Sequence, residues 1–170
     1  MHRRRRKYAM RLEDLFETEL FAADRAANKG FNLRLYHGTS SDFEEFAPFS
    51  HFGNAAQASM RAGTQVIPVF ARLRKIKRLR DNNNGQWNAA TLRSLERKGY
   101  DGIIYLNRYE GIPKKEFEDA YEKGIDLDKV SDSQFRKLIP SAEDSYIIFD
   151  PNNVKSIHAK FEPLTVGLMA

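Results

Sequence analysis

The sequence predicts a mixed α+β domain, and three observations carry that prediction. Short apolar runs of strand type, such as Ile103–Leu106 and Tyr146–Phe149, are bounded by Gly, Asp and Pro. Between them lie segments whose apolar residues recur at three- and four-residue steps. The chain has 170 residues, a length in which two independent cores would be cramped. One domain is therefore expected over residues 10–162, with a basic arm at 1–9 and a tail at 163–170.

The elements follow in order. Met10 to Ala27 reads as an amphipathic helix, with Leu12, Leu15, Phe16, Leu20 and Ala23 on one face and Asn28-Lys29-Gly30 as its stop. Leu33–Tyr36 alternates like a strand that ends in His37-Gly38-Thr39, and Ser40 to Ser50 reads as a loop carrying Phe43, Phe46 and Phe49. Asn54–Ala62 looks helical. Val66–Leu73 looks like a strand, where Pro68 points to an edge position or an irregularity. Asp81–Gly85 is rich in turn residues, and Trp87–Lys98 is a short helix stopped by Gly99. Lys114–Glu122 is helical, with Pro113 suited to its first turn. Ser131 can cap a second short helix to Ile139. Tyr146–Phe149 and Val154–Phe161 complete the strand candidates, and the tail after Phe161 shows no period and is expected to be loose.

The 28 Lys and Arg against 23 Asp and Glu leave a net charge of +5. It is concentrated in Arg3–Lys7 and in Ala71–Arg80, which holds Arg72, Arg74, Lys75, Lys77, Arg78 and Arg80. Clustered cations displace counterions from a polyanion, so both blocks are candidate phosphate contacts, and both also read as solvated faces. There is no Cys, which excludes disulfides, iron–sulfur clusters and cysteine nucleophiles. Four scattered His give no metal cage, and no metal is expected. The apolar runs are too short to span a bilayer, and a cytoplasmic protein is the expectation.

Several chemistries lack their signatures. The chain has no G-x-x-x-x-G-K-[ST], no G-x-G-x-x-G after a strand, no G-x-S-x-G and no H-E-x-x-H. What it has is a series of short pieces in order. Tyr36-His37-Gly38-Thr39 comes first, then His51-Phe52-Gly53 ahead of Ala55-Ala56-Gln57-Ala58. Gly99-Tyr100-Asp101-Gly102-Ile103 leads into a strand ending Asn107-Arg108-Tyr109-Glu110, and Asp144–Pro151 runs on to Val154-Lys155-Ser156.

This order resembles the ADP-ribosyltransferase superfamily, and most of all the transferases of phage and mobile-element polyvalent proteins, over Tyr36 to Ile157. The resemblance implies a split, bent β-sandwich with NAD⁺ held in the cleft between two small sheets. It implies that His37 bonds a ribose hydroxyl, that Gly38 offers backbone groups to the nicotinamide amide, and that Thr39 supports the turn. His51 would fill the second-motif place, with Phe52 and Gly53 beside the nicotinamide, Asn107 near the ligand and Glu110 as the third-motif acid. Read without the resemblance, His51 is equally a helix cap, and Glu110 an exposed acid at a strand end.

The chain departs from the family in two places. Where poly(ADP-ribose) polymerases carry the catalytic Glu before a strand like Tyr146–Phe149, this chain has Ser145, so Glu143 or Asp144 stands as an alternative acid. The E-x-E pair of arginine-specific transferases is absent at Glu110, because Arg108 occupies the first position. Residues 111–142 form an insertion that serves as lid, target-recognition element or bystander.

The expectation is an NAD⁺-dependent mono-ADP-ribosyltransferase, a toxin or phage-defence effector in a bacterial host cell. Its acceptor would be a macromolecule, RNA or DNA favoured over protein, with an antitoxin or chaperone as a further candidate partner. The alternatives are a non-catalytic module of the same fold that binds NAD or RNA, an NAD glycohydrolase, and an enzyme like the tRNA 2′-phosphotransferases.

Overall fold

The computed structural model describes residues 12–62, 65–81, 87–162 and 164–170. The arm Arg3–Lys7 lies outside the described residues, as does most of the turn-rich stretch after Asp81. The described residues form an α+β domain with two sheets. The elements are α1 (Leu12–Asn28), β1 (Leu33–Thr39), β2 (Ser50–Phe52), α2 (Ala55–Ala62), β3 (Gln65–Ala71), β4 (Ile76–Arg78) and α3 (Ala89–Arg97). They continue as β5 (Gly102–Leu106), α4 (Lys114–Glu122), α5 (Asp132–Leu138), β6 (Asp144–Ile148) and β7 (Val154–Ser156). Strands β1, β3 and β7 form one antiparallel sheet with β3 in the middle. The other sheet runs β2-β6-β5-β4, antiparallel except for the parallel β4–β5 pair at its edge. The sheets are stitched by a bridge between Tyr36 and Gly53, whose backbone groups exchange hydrogen bonds of 2.9 and 3.0 Å.

Pro68 lies in the central strand and not at an edge. It faces Tyr36 across the β1–β3 ladder, but the Tyr36 N–H and C=O turn away to Gly53, so no donor is needed there. The Pro68 carbonyl accepts from Ile157 at 3.2 Å on the opposite side, where the β7 ladder starts one residue later at Val69. The missing N–H therefore points to the β7 side, just outside that ladder, and leaves the β1–β3 ladder intact.

A core shared by both sheets joins Leu35, Val69, Ala71 and Val154 from one to Phe52 and Ile148 from the other. Helix α1 buries Ala22 and Ala26 against Phe31, Phe70 and Phe161, while Leu20, expected on the packed face, is 68% exposed. Two small residues one turn apart let the helix lie close on three rings, and that spacing outweighs the larger side chains. Residues 111–142 pack a separate core on Leu106 of β5, formed with Ile112, Ala120, Leu127, Phe135 and Ile139. Arg108 anchors it: its buried guanidinium donates to the carbonyls of Leu127 and Val130 and to Asp132 at 2.6 Å, above the Phe135 ring. The position that removes the E-x-E pair is thus a structural staple of the insertion.

Residues 164–170 are docked. Leu168 packs on the shared core and its N–H donates to the Glu44 carbonyl at 2.7 Å. The buried Lys155 ammonium donates to the carbonyls of Thr165 and Gly167. Backbone bonds to a neighbouring strand and loop hold this segment without any periodic apolar pattern. No helix among the described residues is long and apolar enough to cross a membrane.

Candidate active site

The candidate site lies where β1, β2, α2, β5 and β6 converge beside the inter-sheet bridge. Its cavity is lined by Tyr36, Gly38, His51, Phe52, Gly53, Gln57, Ala58, Arg61, Tyr105, Glu110 and Ser145. All four of the expected signatures therefore contribute to one place. The cavity is narrow, about 10 Å³, room for a single water. Small-molecule sites typically run to about 300–1,000 Å³, so ligand entry requires it to widen.

Strand alternation supplies most of the arrangement. Residues 33, 35 and 37 exchange hydrogen bonds with β3, so the backbone groups of Tyr36 and Gly38 turn the other way, towards Gly53 and the cavity. His51 pairs with Ile147, and Ser145 with Tyr105, which puts these side chains on one face of the four-stranded sheet. Asp144, the preceding residue, faces the opposite way. Its carboxylate is taken by Arg78 at 2.7 Å and Arg136 at 2.6 Å. Glu143 is exposed, and its backbone carbonyl accepts from Asn107 and from the Gln57 amide. Glu110 is the acid that reaches the cavity.

Glu110 arrives there through a local turn. The Asn107 side-chain carbonyl accepts from the N–H groups of Tyr109 and Glu110, the hydrogen-bonding habit that makes Asn a turn former. Its amide then donates to Glu110 Oε2 at 2.7 Å and to Ser145 Oγ at 3.0 Å. Asn107 thus sits buried behind the carboxylate and fixes it to β6. On the cavity side Arg61 Nε lies 3.0 Å from Glu110 Oε1.

Arg61 has no place in the sequence reading. Helix α2 starts with a reciprocal pair, Asn54 Oδ1 accepting from the Gln57 N–H and Gln57 Oε1 from the Asn54 N–H, which satisfies both end donors. Asn54, not His51, caps this helix. Gln57 is buried and Arg61 is one turn further along the same face, so the i, i+4 spacing was the available signal.

Gly38 is needed for packing as well as for open backbone. A Cβ there would sit 1.9 Å from the Ala58 carbonyl oxygen, so the close approach that the missing side chain permits is that of α2. A Cβ on Gly53 would meet the Gln57 side chain, whose Oε1 caps the helix.

The two histidines are held in neutral form. His37 Nδ1 is 2.8 Å from the His51 carbonyl, which can only accept, so Nδ1 carries the proton and Nε2 keeps its lone pair. Burial lowers the His37 pKa. His37 and Thr39 line a second hollow of about 220 Å³ with Phe43, Glu45 and Phe46, beside the cavity rather than in it. Burial first, then Arg61 and His37, push His51 down to about 3. Its Nδ1 is 3.4 Å from the Tyr105 hydroxyl, whose pKa burial raises to about 12, so the phenol stays protonated. Phe52 is buried edge-on to Phe46 and close to His37, and Thr39 Oγ1 closes the turn by accepting from the Ser41 N–H.

Arg72, Arg74, Lys75 and Lys77 are not part of this cavity. They follow Ala71, which pairs with Leu33 at the far end of β1, five residues before Gly38 on a strand rising about 3.4 Å per residue. Arg72 donates to Asn153 Oδ1, and the backbone N–H groups of Arg74 and Lys75 donate to Asp101. Among the described residues no group of three or more His, Asp or Glu could hold a metal ion. No family model, characterised protein or solved structure matches the chain, so the site stands on its own geometry.

Proposed function

We propose that the chain is an NAD⁺-dependent mono-ADP-ribosyltransferase of the ADP-ribosyltransferase-like fold, transferring ADP-ribose to a macromolecular acceptor. One observation carries the reading: Glu110 is delivered by Asn107 and Ser145 into the same cavity as Gly38 and His51. The order of the signatures and the pair of bridged sheets support it.

The donor set suits the substrate. Strand backbone at Gly38 matches a carboxamide, a carboxylate matches a sugar that becomes positively charged, and the His37 Nε2 lone pair in the adjoining hollow matches a ribose hydroxyl. In the reaction the bond between nicotinamide and ribose C1′ breaks, its electron pair leaving on nicotinamide. Glu110 accepts a hydrogen bond from the 2′-hydroxyl and stabilises the oxocarbenium character at C1′. The acceptor nucleophile then bonds C1′ and releases its proton to water. Neutral His51 adds no cation beside that centre, and the protonated Tyr105 hydroxyl holds it in place. Substrate has to displace Arg61 from Glu110, and the freed guanidinium then faces the dinucleotide's anionic groups.

The test is incubation with NAD⁺ and separate pools of RNA, DNA and protein, following nicotinamide release and label transfer. Wild type is expected to release nicotinamide and label one pool, and Glu110→Gln to lose about 100-fold or more of that rate. Untouched NAD⁺ with wild type and variant alike overturns the reading. Arg61 also favours a second reading, transfer onto a phosphate group, which product analysis separates by where the ADP-ribose ends up.

A further inference from the structure

The cations that the cavity leaves out form a surface of their own. The link between β3 and β4 folds against the end of α3, where the Lys75 ammonium donates to the Lys98 carbonyl at 2.8 Å and lies over the Tyr100 ring. The Asp101 N–H donates back to the Lys75 carbonyl at 2.8 Å. Two basic stretches far apart in sequence therefore share one corner: Arg74, Lys75 and Lys77 from the first, Arg97 and Lys98 from the second, all five exposed. The acids nearby are Glu96, exposed on α3, and Asp101, whose Oδ2 accepts from the backbone N–H groups of Arg74 at 2.6 Å and Lys75 at 2.8 Å. Asp101 thus fixes the shape of the corner, and positive charge is in excess there.

The placement of this corner gives it a direction. Strand β4 is the edge of its sheet, and Lys77 pairs with Ile103. Ile103 pairs with Ile147, and Ile147 with His51, so alternation puts Lys77 on the face that carries His51, Tyr105 and Ser145. The fully buried Ile103 and Ile147 of the α3-packed core lie between them, which leaves the β4 edge as the open route. Strand β5 starts at the basic corner and runs on to Asn107 and Glu110 at the cavity.

From this juxtaposition we infer that the corner formed by Arg74, Lys75, Lys77, Arg97 and Lys98 docks the phosphodiester backbone of a nucleic acid and leads it along the β4 edge towards the cavity. The inference rests on the transferase reading only for what happens at the end of that track; the docking itself needs no NAD⁺. A row of exposed cations with few acids fits a repeating anion, and none of the five lines the cavity.

The experiment is a salt titration of binding between about 50 and 200 mM, using the full chain and short labelled single-stranded RNA, single-stranded DNA and duplex DNA. The three probes identify the source of the backbone. Removing three contacts should flatten the dependence of log K on log salt by about 2, at roughly 0.7 per contact on a single strand. The triple variant Arg74→Ala, Lys77→Ala, Arg97→Ala is expected to show that loss while keeping nicotinamide release. A variant with Arg3–Lys7 neutralised is expected to keep most of the slope that the corner supplies.

Binding with an unchanged slope in the triple variant overturns the inference, as does loss of the whole slope on neutralising the arm alone. Absence of binding to any of the three probes also overturns it, and so does binding to anionic vesicles but not to oligonucleotides. If oligonucleotides bind as expected and NAD⁺ stays intact, the transferase reading falls and this one stands. If nicotinamide is released but no oligonucleotide binds, the reverse holds.

Discussion

At the scale of single residues the site is a set of groups whose protonation is decided by what surrounds them. His51 shows this most clearly. Unfolded, its imidazole titrates near 6.5; folded, burial, Arg61 and His37 hold it at about 3. Between those values the unfolded chain binds the extra proton, so acid favours unfolding. The stabilisation from keeping His51 neutral is complete above pH 6.5 and is lost as pH falls from there towards 3. At about 1.4 kcal/mol per unit, a shift from pH 7 to about 4.5 costs the wild type about 2–3 kcal/mol through this group. His37 adds to it with the same sign. Urea denaturation at both pH values checks this: His51→Gln should show a flatter pH dependence than wild type, and equal dependence would refute the assignment. His37, Gly38, His51 and Glu110 were legible because they stand in short local signatures. Gln57 and Ser145 stand inside the quoted signatures and Arg61 lies one turn beyond Gln57, but their roles rest on partners distant in sequence, such as the Gln57 amide on the Glu143 carbonyl, and those pairings no local pattern shows.

Helix α2 shows what an element contributes, because its closeness to β1 shapes the cavity wall. The Ala58 carbonyl sits where a Gly38 side chain would be, and a backbone atom cannot swing aside. Gly38→Ala should therefore push α2 outward and destabilise the fold by about 1–3 kcal/mol. Thermal melts read the loss, and Gly99→Ala, where the added methyl meets nothing within 4 Å although φ is +77°, gives the comparison for backbone strain alone. The elements read best from sequence are those whose signals are local. Helix α4 begins where Pro113 places it, and α5 carries the Ser131–Gln134 capping box. Strands β2 and β4, three residues each, are too short to alternate and exist because β6 and β5 pair with them. Pro68 misled for the same reason: whether a missing N–H matters depends on where a strand more than eighty residues later in the chain begins its ladder.

On the scale of the whole molecule, residues 164–170 close the structure. They supply the carbonyls that satisfy the buried Lys155 ammonium and, through Leu168, they hold the loop that bears Phe43 and Phe46 beside His37. Deleting them removes both acceptors of the Lys155 ammonium and the Leu168 contact, a loss of about 1–3 kcal/mol. Lys155→Met in the shortened chain should recover part of that loss, and guanidinium titration of the three proteins measures it. A shortened chain as stable as the full one would show that these residues do not matter. The sequence pattern gave no hint of this docking, because the segment is held by backbone bonds.

The sheet order also has a consequence for the growing chain on the ribosome. Strand β6 is the inner partner of β2 and β5, and β7 completes the other sheet, yet both belong to residues 144–156. A nascent polypeptide that has passed Glu110 already carries His37, His51 and the acid, but β2 has nothing to pair with and Ser145 is not there to receive Asn107. Pairing across such long stretches of sequence is slow, and it starts only when synthesis reaches the final strands. Every incomplete translation product that has passed Glu110 but ends before Asp144 therefore contains His37, His51 and Glu110 and lacks the strand that completes the cavity.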